Sequence, residues 1–245
     1  MKFFVYHTPE EVPDKAVPDC AIAIDVLRAT STIAAALESG AAAIHVFSDL
    51  DALKTASESY SPEERLLAGE RGGARVEGFD LGNSPLDHTE ARSKGRHLFM
   101  STTNGTRCLH RIQNAPMVAT AALTTRQAVV DFLNHHNPEQ VWLVGSGWEG
   151  SYSLEDTVCA GAIVHGYLTQ HNLDLKDLAG NDAAIAAVSL YLQWQDHLLD
   201  LMYCASHGQR LLRLELEDDL KYCAQLDVLN LVPVQTEPGV LALAR

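Results

Sequence analysis

The sequence predicts an α/β protein whose largely parallel sheet is covered by helices on both faces. Short apolar runs alternate with helix-length segments as far as His171. Polar clusters follow directly on the runs at 20–24, 66–68 and 97–100, where the carboxyl ends of parallel strands would line one edge. The 245 residues, 47% of them hydrophobic, suffice to bury one full core.

Residues 3–7 and 20–24 read as strands, 30–39 as a helix closed by Gly40, 43–47 as a strand and 49–59 as a helix. The alternation continues with a strand at 66–69, a glycine-rich loop to Pro85, a strand at 97–100, a helix at 106–113, a strand at 117–120 and a helix at 124–135. A strand at 141–144 and a helix at 154–171 complete it. After Asp182 the pattern becomes nearly continuous helix, with Ile185, Val188, Leu192, Leu198, Leu201 and Met202 spaced by threes and fours. That apolar stretch is long enough for a subunit interface. The runs at 229–234 and 240–243, interrupted by Pro233 and Pro238, predict edge strands or a closing ribbon, so the sheet can be mixed. Without repeat, low-complexity tract or linker, residues 1–245 read as a single domain.

Composition narrows the function classes. Eighteen basic against 32 acidic residues give a formal charge of −14, which disfavours nucleic acid and anionic membrane surfaces as partners. A small anionic substrate stays possible in principle, because screening over about 8 Å lets nearby arginines outweigh distant carboxylates. The five cysteines form no C-x-x-C pair, which points to reduced thiols and a cytoplasmic protein. No run approaches the ~20 apolar residues of a membrane span, and 1–6 is too short for a signal peptide.

Three clusters carry chemistry: 25–32 (DVLRATST), 69–72 (GERG) continuing to 78–85 (GFDLGNSP), and 101–106 (STTNGT). Asp25, Glu70 and Asp80 suit a hard divalent cation, whereas Arg28, Arg71 and the hydroxyls and glycine amides around them suit an oxyanion. The combination reads as metal-assisted phosphoryl chemistry. Plainer readings exist for two of the clusters. Asp25 and Arg28 also fit a surface ion pair beside a Thr or Ser helix cap. Asn104 and Gly105 also fit a strand-to-helix turn at positive φ, with Thr106 as cap. The 69–85 loop, with five glycines around Glu70, Arg71, Asp80 and Asn83, exceeds what a connector requires.

Residues 145–150 (GSGWEG) match G-x-G-x-x-G between a strand and a helix, so a dinucleotide-dependent oxidoreductase is the competing class. The context argues against it, since 172–178 offers no second strand ending in a ribose-binding acid and Trp148 crowds the turn. Glu155 and Asp156 then open the next helix, where they serve its dipole or a metal. A non-catalytic sensor of a phosphorylated acid would share every anion contact.

Taken together, 25–32, Gly69-Glu70-Arg71, 78–85, 102–106 and Glu155-Asp156 followed by 159–161 (CAG) resemble the 2-phosphosulfolactate phosphatase family over most of the chain. The resemblance implies a three-layer α/β/α fold, a homodimer and a Mg²⁺-dependent acid phosphatase. The implied reaction converts 2-phosphosulfolactate to sulfolactate and phosphate, a step toward coenzyme M in methanogens. On this reading Asp25, Arg28, Glu70 and Arg71 are catalytic, and Mg²⁺ is held by two or three of Asp25, Glu70, Asp80 and Asp156. Thr30, Ser31, Thr32, Asn83, Ser84, Thr102, Thr103, Asn104, Gly105 and Thr106 form the phosphate cradle.

Overall fold

A computed structural model of the chain describes residues 1–244. Its strands are β1 (Lys2–Tyr6), β2 (Cys20–Ile24), β3 (Ala43–Val46), β4 (Arg65–Arg71), β5 (Ala74–Arg75), β6 (His97–Ser101), β7 (Met117–Ala121), β8 (Gln140–Gly145), β9 (Pro233–Glu237) and β10 (Val240–Leu243). They form one largely parallel, mixed sheet in the order β1-β8-β2-β7-β9-β10-β3-β6-β4-β5. The helices are α1 (Ala29–Glu38), α2 (Leu50–Ser57), α3 (Glu90–Ser93), α4 (Gly105–Ile112), α5 (Arg126–His136), α6 (Leu154–His171), α7 (Leu175–Leu178), α8 (Asp182–Trp194), α9 (Leu198–Cys204), α10 (Ser206–Arg213) and α11 (Glu217–Cys223).

Alternation within the strands sets the layers. Cys20, Ile22 and Ile24 of β2, with Val141 and Leu143 of β8, face a core shared with α5, α6 and α8. Ala21 and Ala23, with Trp142 and Val144, face the core under α1 and α4. Every residue of β2 is buried, as befits a central strand covered on both faces. Gly161 of α6 lets α8 approach so closely that a β-carbon there would stand 2.0 Å from the Ala187 carbonyl oxygen.

The fold departs from the sequence pattern in two respects. The closing ribbon is not at an edge: β9 and β10 lie mid-sheet, between β7 and β3. Pro233 is tolerated because it is the first residue of β9, and β9 pairs with β7 only through Val234 and Ala119. Three successive antiparallel pairings, β7 with β9, β9 with β10 and β10 with β3, separate two parallel blocks that therefore run in opposite formal senses. The polar clusters thus do not line one edge of a single parallel sheet. Twist of about 20–25° per strand pair accumulates across the hairpin. The start of α4, which follows β6, meets the start of α1, which follows β2: a β-carbon at Gly105 would lie 2.5 Å from that of Ala29.

The helical tail differs too. What reads as continuous helix breaks into α8 to α11, and Val188, Tyr191, Leu198, Leu201 and Met202 enter the chain's own core. Ile185 and Leu192 stay exposed on α8.

Candidate active site

The site is built around the turn that leaves β2. Thr30 Oγ1 donates to the Asp25 carbonyl and accepts the Asp25 N–H, while Ser31 Oγ donates to the Val26 carbonyl. The peptide bond between Leu27 and Arg28 in this turn is cis. The Asp25 side chain is buried, and its Oδ1 accepts the Ala29 N–H at 3.1 Å. Oδ2 accepts no hydrogen bond among the described residues. Only a glycine at 105 leaves that oxygen uncovered, because a β-carbon there would lie 2.9 Å from it. Burial, with Glu155 and Glu70 nearby, pushes the Asp25 carboxyl up to about 6 against the opposing pull of His207 and the Ala29 amide.

Two loops close around this turn. Glu70, near the end of β4, accepts the Thr103 N–H and Oγ1–H on one oxygen and the Gly73 N–H on the other. Burial would raise its carboxyl, but these hydrogen bonds outweigh it and hold the group below its ordinary value. Glu70 thereby ties the β4–β5 turn to the loop before α4. Opposite, Arg28 is 4% exposed and pairs with Asp219 of α11, whose other oxygen accepts from Ser84. Together these elements enclose a cleft of about 350 Å³ lined by Asp25, Arg28, Asn83, Thr102 and Thr103. Asn83 Oδ1 and Thr102 Oγ1 are buried in its wall without a hydrogen-bond partner, which a folded protein tolerates chiefly where a ligand or water completes the bond.

The remaining wall comes from α10, which contributes His207, Arg210 and Arg213. Arg210 Nη2 donates to the Gly72 carbonyl across the cleft mouth. The His207 ring stacks on Trp148 at 3.8 Å and 16°, and its Nδ1 lies 3.3 Å from Oε1 of Glu155, which is 2% exposed.

The residues grouped on sequence grounds divide accordingly. Asp25, Arg28, Glu70, Asn83, Thr102, Thr103 and Asn104 line the cleft. Thr30, Ser31, Thr32 and Thr106 spend their hydroxyls on backbone carbonyls, and Ser84 donates to Asp219. They shape the turns. Three residues stand apart from the cleft. Asp80 accepts the Leu67 N–H and borders a neighbouring hollow beyond Arg28, drawn there because it closes the β4 loop. Arg71 folds back onto Ser101 and the Glu70 carbonyl. Asp156 accepts the Val26 and Gly147 amides, and burial beside Asp25 and Glu155 raises its carboxyl well above the usual range. The same bonds occupy the 145–150 turn, so its Gly147 amide is not offered to a dinucleotide. Gly105 does not have positive φ; close approach, not conformation, requires it.

Sequence reading missed His207, Arg210, Arg213 and Asp219. The signal was present in 206–213 (SHGQRLLR), where spacings of three and four put His207, Arg210 and Leu211 on one helix face.

Comparison with known proteins identifies the family of the chain. A family profile described as 2-phosphosulpholactate phosphatase matches residues 6–238. A relative from Trichormus variabilis, named "probable 2-phosphosulfolactate phosphatase", is 62% identical over 240 residues, covering 98% of each chain. One of the same name from Nostoc punctiforme is 61% identical over 241 residues, 98% of each chain. Another from Thermosynechococcus vestitus is 58% identical over 244 residues, the whole of both chains. A match of this extent, across every element that builds the cleft, places the chain in the 2-phosphosulfolactate phosphatase family.

Proposed function

We propose that the cleft hydrolyses the phosphate monoester of a small, multiply charged 2-hydroxy acid, with 2-phosphosulfolactate as the substrate. One observation carries this reading: on an acidic chain, Arg28, Arg210 and Arg213 converge on a cleft whose wall holds unpartnered polar atoms of Asn83 and Thr102. Arg28, held by Asp219, presents the rest of its guanidinium to phosphoryl oxygens. Thr102, through its unpartnered hydroxyl, and Asn104, at the start of α4, add donors at a helix N-terminus, which favours anions, while Thr103 is held by Glu70. Arg210 and Arg213, not Arg71, meet the substrate's second anion. Positioning and charge stabilisation of this kind dominate phosphoryl transfer.

The donor set fits Mg²⁺. Among the described residues no three acidic, histidine or cysteine side chains converge to enclose an ion. Mg²⁺ needs no such cage, since it keeps several waters and takes one or two carboxylates beside substrate phosphate. Asp25 would hold it through Oδ2; Asp80 and Asp156 are committed to backbone amides, and Glu70 to Thr103 and Gly73. When bound, the ion would neutralise charge on the transferring phosphoryl group and lower the proton affinity of bound water.

Phosphate release from 2-phosphosulfolactate and related phosphorylated acids, with EDTA and with added Mg²⁺, tests the reading. Turnover restored by Mg²⁺ supports it. Binding without turnover under all conditions would make the protein a sensor.

Two further traits belong to this reading. No described helix is long and apolar enough to cross a membrane, and all five cysteines are unpaired thiols, a state suited to the reducing cytoplasm. A homodimer would use the exposed α8 face around Ile185 and Leu192. Sedimentation at micromolar concentration decides it, and a monomer would sink the dimer.

A further inference from the structure

Phosphate monoester hydrolysis leaves one chemical demand that the arginines do not meet. The departing oxygen of an aliphatic hydroxy acid is strongly basic and needs a proton as the P–O bond breaks. Arginine cannot give one, since it remains protonated at all working pH. Both oxygens of Glu70 already accept hydrogen bonds.

His207 is placed differently. It enters from the first turn of α10, its ring flat against Trp148 and its Nδ1 3.3 Å from Oε1 of the buried Glu155. Its other ring nitrogen has no protein partner among the described residues, and the side chain lines the cleft beside Asp25 and Arg28. A side chain held by a stacked indole on its face and a carboxylate on one nitrogen has its second nitrogen aimed by the fold. A 3.3 Å separation without ligand is within what such pairs show before substrate tightens them.

We propose that His207 is the general acid of this active site, with Glu155 and Trp148 as positioning residues. The proposal rests on the phosphatase reading and adds the proton donor to it. In the step, a water oxygen bonds to phosphorus as the bond to the ester oxygen breaks. The electron pair stays on that oxygen, which takes the proton from His207 Nε2 and leaves as the hydroxy acid. The proton lost by the attacking water passes to solvent and is balanced by reprotonation of His207, so the net change is ester plus water to alcohol plus phosphate.

A leaving group that departs readily needs no acid, and this separates catalysis from packing. His207→Ala should reduce kcat on 2-phosphosulfolactate or 2-phospholactate by ~10²-fold or more, the usual range for a general acid. On 4-nitrophenyl phosphate the loss should be much smaller. Added imidazole should restore part of the lost turnover on the alkyl ester. Glu155→Gln should show the same split in weaker form. Equal losses on both esters without imidazole rescue would overturn the proposal and leave His207 a packing residue. A leaving-group-dependent loss in Asp25→Asn but not in His207→Ala would assign the proton to Asp25 instead. Wild-type protein that releases phosphate from neither ester would overturn the phosphatase reading itself, and the acid with it.

Discussion

Asp25 shows how one residue carries opposing demands. Its carboxyl titrates near 6 in the fold against an ordinary value of 3.8, so the folded protein holds a proton that the unfolded chain has released between those values. Stability from this group is therefore complete below about pH 4 and is lost as pH rises through 6. Asp25→Asn, which keeps the Oδ1 acceptor for Ala29, should then stabilise the metal-free protein at pH 8 by at most ~3 kcal/mol at 1.36 kcal/mol per unit. The gain should vanish near pH 4, as paired thermal melts would read. The same variant should lose at least ~10²-fold in turnover, about 2.7 kcal/mol of barrier; full activity would remove Asp25 from the mechanism. Asp219 gives a simpler case. Asp219→Ala strands the buried Arg28 guanidinium and frees Ser84, and breaking such a pair costs about 3–5 kcal/mol. Urea titration would measure it.

At the scale of elements, close approach decides more than propensity does. Gly161→Ala should force α6 and α8 apart, since its β-carbon would meet the Ala187 carbonyl at 2.0 Å. Overpacking of this severity costs about 3 kcal/mol, a fall in Tm of roughly 6–12 °C in a domain of this size. An unchanged Tm would show that the helices slide freely. The strands at Cys20–Ile24 and the helix at Leu154–His171 were legible because their apolar runs and caps are local signals. The breaks between α8, α9, α10 and α11 were not, because the apolar spacing of threes and fours persists across them. Those breaks matter for the site, since they turn α10 back over the cleft and bring His207, Arg210 and Arg213 to residues more than a hundred positions earlier.

For the whole molecule, the mid-sheet hairpin makes the C-terminus a structural requirement. Removing residues 231–245 would expose the inner edges of β7 and β3 at once, and unpaired edges invite aggregation. The truncated chain should lose cooperative thermal unfolding and precipitate. A soluble, cooperatively melting product would mean that the two parallel blocks can stand without the hairpin.

The α/β class, most strand and helix positions and the three clusters that frame the cleft are readable from the order of residues, because apolar periodicity, glycine placement and turn chemistry act over a few residues. Which polar groups are available to a ligand depends on the folded arrangement. Asp80, Asp156, Arg71 and most of the hydroxyls are taken up by amides, carbonyls and neighbouring side chains, whereas Arg28 and Asp25 keep unbonded atoms in the cleft wall. The same arrangement makes β9 and β10 divide the sheet and α10 close the cleft. Both depend on pairings between distant segments, whose free energy comes from area buried across the fold and leaves no periodic trace in the chain.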